Sequence, residues 1–401
     1  MLTSVTSTVP AALSRAGLRR VLLVLCLTEI TSWGVLFYAF PVLAPGITAD
    51  TGWSATMVTA AFSLGQIVLA LAGIWVGRLL DRRGPRPVMT SGSVLAVPAL
   101  VLVATAGSPH WFFAGWFLVG VAMSGTLYSP AFAAVTRWWG ERRVTALTAI
   151  TLVGGLASTV FGPLTALLAG WLGWRGTYLV LAAGYALITI PLHAIGLRGG
   201  WSRPEAHPDQ PPRPPGQVAR SRAFVLLTVA FTLASFAIYG VVIIQIPLLL
   251  ERGLSTGLAA VALGLGGAGQ VCARLGYGRL TAATSVRGRT ALVLGAGAGS
   301  VALMGVLPGP AALLIIAAVL VGMSRGVFTL LHATAVTERW GAAYYGRLNG
   351  LLLAPINIVA AVAPWACTAL AEMLGGYPAV FAILAGFTAL AAVLASVSGT
   401  R

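Results

Sequence analysis

GRLLDRRGPR, residues 77 to 86, places five charged side chains (Arg78, Asp81, Arg82, Arg83 and Arg86) within ten positions of a chain that is only 8% charged. The runs on either side, 55 to 77 and 88 to 106, are apolar, and each is close to the ~20 residues with which a helix crosses a ~30 Å hydrocarbon core. A dense charge cluster between two such runs reads as a short polar connection outside a membrane, joining two helices that span it.

The rest of the chain extends that reading. Of its 401 residues 58% are hydrophobic, 49 are glycine and the mean hydropathy is +0.91, which leaves more apolar surface than one soluble core can hide. Further runs of spanning length lie at 21 to 44, 112 to 135, 145 to 169, 176 to 197, 223 to 250, 256 to 278, 290 to 307, 312 to 336, 348 to 371 and 378 to 397. Twelve transmembrane helices are expected, because backbone groups in lipid must bond within their own segment. The opening MLTSVTSTVPAALSRAGLRR lacks a charged start, short apolar core and cleavage site, so neither a signal peptide nor a Tat signal is expected and the first helix is retained.

All 25 basic residues are arginine and face nine acids, a net charge of +16. In a soluble protein that balance points to nucleic acid; here the placement matters more than the sum, and no nucleic-acid partner is expected. The absence of lysine is read as coding bias. On alternate connections, one side receives Arg15, Arg19, Arg20, then Arg78, Arg82, Arg83, Arg86, then Arg137, Arg142, Arg143, then Arg198, Arg203, Arg213, Arg220, Arg222, then Arg279, Arg287, Arg289, then Arg339, Arg347, and finally Arg401. The other side receives Arg175 and Arg252. Positive loops stay inside, so both termini and the long middle loop are expected in the cytoplasm, with the protein in the cytoplasmic membrane.

The chain also repeats itself. Gly77-Arg78-Leu79 recurs as Gly278-Arg279-Leu280, TRWWG at 136 to 140 as TERWG at 337 to 341, and Pro163 as Pro364, each at an offset of 201 positions. The spacing from Gly34 to Pro41 is matched by that from Gly240 to Pro247. Two parallel six-helix units are implied, 1 to 197 and 223 to 401. The stretch between them, 198 to 222, is rich in proline, arginine and polar residues and reads as a cytoplasmic linker.

A six-plus-six duplication with inside termini, a polar central loop and GRLLDRRGPRP between helices two and three resembles the major facilitator superfamily, whose signature loop reads roughly Gly-x-x-x-Asp-Arg-x-Gly-Arg-Arg. Gly77, Asp81, Arg82, Gly84 and Arg86 match in place, and Pro85 stands where a basic residue is usual. The resemblance implies a conformational latch that holds the halves in the outward-open state. Gly77 would permit close helix approach, and Asp81, drawn between helices, would accept hydrogen bonds from arginine and a neighbouring helix N-terminus. The competing reading, a purely topological anchor, explains the arginines but not the acid.

Three stretches are further similar to the monocarboxylate transporters and oxalate/formate antiporters: GWSATMVTAAFSLGQIV at 52 to 68, RWWGERRVTALT at 137 to 148 and GQVCARLGYGRL at 269 to 280. Two features depart from that pattern. The acid such carriers commonly hold four residues before the helix-eight arginine is Gln270 here, and their acidic-glycine-aromatic motif at the start of helix one is missing.

The candidate site follows from polar groups that lipid normally excludes. Glu29 lies nine residues beyond Arg20, about 13 Å into the first helix, and Arg325 lies fourteen before Arg339, about 21 Å from that boundary. A charge at a helix centre costs ~3 kcal/mol or more, so such residues line a cavity and bind or relay something, or else pair with each other. Arg274 matches the helix-eight arginine of the carboxylate carriers and has Gln270 one turn away on the same face. It also stands one turn before Gly278, from where it could instead snorkel to the headgroups.

Arg274, Arg325, Tyr38, Tyr128, Gln66, Gln270 and Asn357 are therefore the expected substrate-binding set, with Glu29 for proton coupling. Tyr239 and Gln245 are weaker candidates. His332 shares a face with Arg325, His193 and His110 lie near helix ends, and His207 is in the linker. Cys26, Cys272 and Cys367 are scattered and form no disulfide or zinc pattern. No metal, cofactor or nucleotide loop is expected, nor the clustered acids or metal ligands of a membrane enzyme.

The expectation is an all-α secondary transporter, working as a monomer in the lipid bilayer and moving a small, monocarboxylate-like organic anion, with protons or an exchanged anion as co-substrate. A drug or metabolite exporter of the same fold is the alternative.

Overall fold

The structure, a computed structural model, describes residues 13–139, 143–201, 215–340 and 345–398. His207, Arg142, Arg203, Arg213, Arg401 and most of the expected linker lie outside the described residues.

The first crossing is α1 (Arg15–Trp33), a π-helical turn (Gly34–Tyr38) and α2 (Ala39–Thr51) in one line. Next come α3 (Ala55–Arg83) and α4 (Pro85–Ala104), then α5 (Pro109–Thr126) and α6 (Tyr128–Trp139), which share a crossing interrupted where Leu127 turns extended. The chain continues through α7 (Arg143–Gly155), α8 (Ala157–Pro191), the short α9 (Pro215–Ala219), α10 (Arg222–Glu251) and α11 (Thr256–Leu275). The short α12 (Tyr277–Ala283), α13 (Val286–Val306), α14 (Ala311–Trp340), α15 (Tyr345–Leu374) and α16 (Tyr377–Val397) complete it.

Among the described residues, eleven continuous helical stretches are long and apolar enough to cross a membrane. One of them, Thr145–Gly196, is 52 residues long, more than twice what a single crossing uses. It breaks at Gly173, whose φ of +64° is left-handed, a conformation glycine adopts without steric cost. The chain turns back there, so the stretch holds two crossings and the fold has the twelve expected.

The charge cluster differs from its expected form. Residues 77 to 83 are not a loop: α3 continues through Arg83, with Arg82 and Arg83 in its last turn, where cations suit the carbonyl end of the helix dipole. The connection is the single residue Gly84, at φ +81°, and Pro85 opens α4, where its missing N–H costs nothing. Apolarity marked where lipid ends; the helical hydrogen bonds run on into water.

Side chains sort by solvent. Phe40, Phe62, Phe112 and Trp116 are fully buried in one core of the first six crossings. Val301, Met304, Phe381 and Leu384 belong to a core of the last six. Large apolar residues such as Leu71, Trp75, Trp171 and Leu187 stand exposed, as a surface facing lipid requires.

Three of the hydrogen bonds between the two halves among the described residues lie between mid-membrane and the face opposite the termini. Thr159 Oγ1 donates to the Gly264 carbonyl (2.8 Å), the Trp365 N–H to Ser63 Oγ (3.2 Å) and the Thr56 N–H to Glu372 Oε1 (2.8 Å). On the side bearing the termini, a Cβ built at Gly77 or Gly278 would meet nothing within 4 Å. Gly77, expected to permit close helix approach, has no neighbour against it.

Candidate functional site

Residues expected to bind substrate come together where the halves meet, and a helix interruption is what makes room. α7 ends at Gly155 and α8 restarts at Ala157. The glycine pair Gly154–Gly155 admits side chains from two directions: a Cβ at Gly154 would lie 2.4 Å from Tyr128 Oη, and one at Gly155 would lie 3.1 Å from Gln270 Nε2 and 3.2 Å from Arg274 Nη1. The carbonyls near a helix end need outside donors, and that of Thr151 accepts from Arg274 Nη1 at 2.7 Å. Arg274 Nε points to the Gly326 carbonyl of α14 (3.4 Å). The guanidinium thus turns inward across the halves and does not snorkel to the headgroups.

Arg325 is held differently. Its Nε donates to Gln270 Oε1 at 2.7 Å, and its Cζ lies 5.9 Å from the centroid of the Tyr38 ring in the other half, within cation–π range. Gln270, 5% exposed, therefore fixes one edge of the fork, while the two terminal NH2 groups make no hydrogen bond among the described residues. Arg274 is within electrostatic reach of Arg325, Tyr128 and Tyr38, and Tyr239 is within reach of Tyr38 and Arg325. The facing wall is aromatic: Trp33 packs on Tyr128 (5.0 Å between centroids) and on Phe37 (5.4 Å), and Tyr128 stacks on Phe132 (4.9 Å).

Glu29 lies one turn before Trp33 on α1, 0% exposed, and neither carboxylate oxygen has a hydrogen-bond partner. The Trp33 indole N–H, one turn along, is near enough to act on it electrostatically, although the pair lacks ordinary hydrogen-bond geometry. Tyr128 is within electrostatic reach of both Glu29 and Arg274. No ion pair joins Glu29 to either arginine among the described residues, so the self-paired arrangement that the sequence left open is not adopted.

Other expected members stay apart. Gln66 is half-buried with an unpartnered Nε2, one turn from Ser63 on the seam between α3 and α15. Asn357 is exposed on α15. His332 is packed between Phe231 and Phe328, His193 bonds Ser93 (2.8 Å) in the first half, and His110 is exposed. The cysteines are all free.

In the latch motif, Asp81, expected between helices, is exposed, as are Arg82 and Arg86. The motif packs on its own half and on the start of the linker. The Trp201 indole donates to the Asp81 carbonyl (3.2 Å), Arg86 Nε donates to the Ala194 carbonyl (2.7 Å), and Gly84 lies flat against the Trp201 ring. Arg137 in turn sits over that ring at 4.3 Å.

Sequence reasoning missed Trp33 and the Gly154–Gly155 pair. The pair's only signal, two adjacent glycines in a spanning run, is faint in a chain with 49 of them.

The sequence pattern of the Major Facilitator Superfamily matches residues 25–311. Mouse monocarboxylate transporter 11 is 27% identical over 355 residues, covering 84% of this chain and 76% of the relative. Human monocarboxylate transporter 11 is 29% identical over 254 residues, covering 60% of this chain and 51% of the relative. The multidrug resistance protein MdtL of Klebsiella pneumoniae is 29% identical over 228 residues, covering 55% of this chain and 56% of the relative. The chain thus spans only about half the length of the last two. Among solved structures, a bacterial homologue of the human lysosomal transporter Spinster superposes with a TM-score of 0.76 at 15% identity, over 96% of this chain and 97% of that one. A mutant of the nucleoside transporter NupG does so with a TM-score of 0.76 at 12% identity, over 96% and 100%. The chain belongs to the Major Facilitator Superfamily and is a multi-pass secondary transporter, not an enzyme.

Proposed function

We propose that this transporter moves a small, monocarboxylate-like organic anion across the cytoplasmic membrane, its halves (1 to 197 and 223 to 401, joined by the linker 198 to 222) rocking about the site between them. The observation that carries the reading is Arg325: a mid-membrane guanidinium, steadied on one edge by Gln270, with its other edge free and no carboxylate partner among the described residues. A planar fork of that kind takes a carboxylate bidentately. Arg274 supplies the second charge by exchanging its backbone bond to Thr151 for the ligand, and Tyr38, Tyr128 and Gln270 orient the anion. Gln66 and Asn357 flank its route. Glu29 carries the coupling proton, since its carboxyl is buried in the membrane-spanning α1 with no hydrogen-bond partner among the described residues.

Binding and counterflow assays in proteoliposomes test these roles. Arg274→Ala and Arg325→Ala are expected to assemble but to bind carboxylates at least tenfold more weakly, since a lost charge-assisted bond in a partly dry site is worth ~1.5 to 3 kcal/mol. Arg325→Lys should restore only part, because an ammonium lacks the fork. Glu29→Gln should keep exchange and lose pH-driven accumulation. Similarity to MdtL and the aromatic wall around Trp33 and Tyr128 favour a second reading, an exporter of apolar compounds. Undiminished carboxylate binding in both alanine variants decides for it.

A further inference from the structure

The first half holds a line of buried polar side chains that the substrate site does not use. Ser32, the residue before Trp33 on α1, is turned ~100° around the helix from it. Its Oγ shares a hydrogen bond with Tyr185 Oη of α8 (3.2 Å). The hydroxyls of Ser93 and Thr126 are near enough to that phenol to act on it, and Ser93 Oγ is also bonded to His193 Nδ1 (2.8 Å). Ser32, Tyr185, Ser93, Thr126 and His193 are each 0% exposed.

His193 sits in a second π-helical turn, Leu192–Gly196, which follows α8; such turns recur at functional sites. It lies eight residues beyond Tyr185, so it stands ~12 Å nearer the side bearing the termini. Its Nε2 is buried and has no hydrogen-bond partner among the described residues. Whichever ring nitrogen holds the proton, one side of the imidazole is unsatisfied, which costs ~1 to 3 kcal/mol. A histidine kept only to brace the helices would have both nitrogens bonded.

The other end of the line is Glu29. It stands three residues before Ser32, with Cβ atoms ~5 to 6 Å apart on the helix surface, and its carboxylate oxygens are buried without a partner. Both ends are thus titratable groups with unpartnered buried atoms, and hydroxyls join them. The turn that carries His193 packs on α1, α4 and α8. Arg20 of α1 and Arg86 of α4 donate to the carbonyls of Arg198 and Ala194 (both 2.7 Å). The other titratable groups on the facing stretches of those helices are Cys26, Glu29 and Tyr185.

We infer that Ser32, Tyr185, Ser93 and His193 form the proton's path between Glu29 and the side bearing the termini, separate from the substrate cavity. The inference rests on the coupling role proposed for Glu29 and adds the route that supplies it. His193 takes a proton from water at Nε2 and releases one from Nδ1 to Ser93 Oγ. Ser93 passes its own proton to Tyr185 Oη, Tyr185 to Ser32 Oγ, and Ser32 to Glu29. Each hydroxyl gains one proton as it loses one, so the carboxylate alone ends protonated, and the same steps run backwards on release. The imidazole then returns to its starting tautomer. Relays of this kind are a recurrent use of ionisable residues inside membranes.

Exchange of the Glu29 carboxyl proton, followed on the full-length chain, tests the route without any substrate. The C=O stretch of the protonated carboxyl is assigned by difference infrared spectroscopy between the parent and Glu29→Gln over a pH series, and its shift in D2O is timed after rapid mixing. His193→Asn keeps a group that bonds Ser93 but has no second ring nitrogen to pass the proton on. Tyr185→Phe keeps the ring and removes the hydroxyl. Each should slow the shift at least tenfold, with amide I bands matching the parent's to show intact helices. A merely bracing role predicts the opposite sign, because a loosened half opens more often and speeds exchange. Parental or faster exchange in either variant overturns the route, and the coupling role survives that result if Glu29→Gln still loses pH-driven accumulation. If Glu29→Gln removes no carboxyl band at any pH, Glu29 holds no proton, and the coupling reading falls together with the route.

Discussion

Arg274 and Arg325 carry the same charge and are held in different ways. Arg274 is spent on the backbone, reaching the carbonyls of Thr151 and Gly326, so it ties α11 to the other half and to α14. Arg325 has one edge committed and the other open. The tie depends on a missing side chain. At Gly155 a Cβ would sit 3.1 to 3.2 Å from the Gln270 amide and the Arg274 guanidinium, and a β-branched residue adds two methyls in the same space. Gly155→Val should therefore displace both groups and weaken carboxylate binding about tenfold or more, with a much smaller effect at Gly184, where a Cβ meets open space. Isothermal titration on the two variants checks the contrast; equal affinities would show that close approach at Gly155 is not needed. The charges themselves were legible in the sequence, because an arginine in a lipid-spanning run is expensive wherever it points. Where it points was not legible: snorkelling and inward-facing arginines share one pattern, and the direction is decided by a glycine more than a hundred residues away.

Helix ends set what can move. α3 stays helical through Arg83 and hands over to α4 at Gly84 alone, so the motif is a rigid corner, and its contacts are with Ala194 of the same half and Trp201 at the start of the linker. The twelve crossings were readable because apolar runs of this length have no stable alternative in lipid. The corner was not, because hydropathy is blind to helical hydrogen bonds in water. The exposed Asp81 side chain makes no hydrogen bond or ion pair among the described residues, so Asp81→Asn removes nothing that this conformation uses. If the carboxylate engages only when the terminal-side ends close together, the substitution destabilises that other state alone, and the population moves toward the conformation seen here. The expected result is an unchanged melting temperature with lower transport and shorter spin-label distances across the face opposite the termini. Unaltered distances in the variant refute the latch.

At the scale of the whole molecule the two faces are unequal. The terminal side carries nearly all the loop arginines, and the proposal that it faces the cytoplasm predicts that a cysteine at Ser202 resists an impermeant reagent in intact cells; strong labelling reverses the orientation. At the opposite face the halves touch through the Thr56 N–H and Glu372. That bond is partly exposed, and a single exposed charge-assisted contact contributes only ~0 to 1 kcal/mol, so removing Glu372 should shift the balance between states a few-fold at most. Forbidding separation is the stronger test. With Thr56→Cys and Glu372→Cys joined by a short thiol crosslinker, the face opposite the termini cannot open, while no residue around Arg325 is altered. The joined protein should bind carboxylates with parental affinity yet carry out no counterflow, and cleaving the linker should restore transport. Full counterflow with the link intact would mean that α3 and α15 need not part at this face, and rocking of the halves could not then be how the substrate crosses.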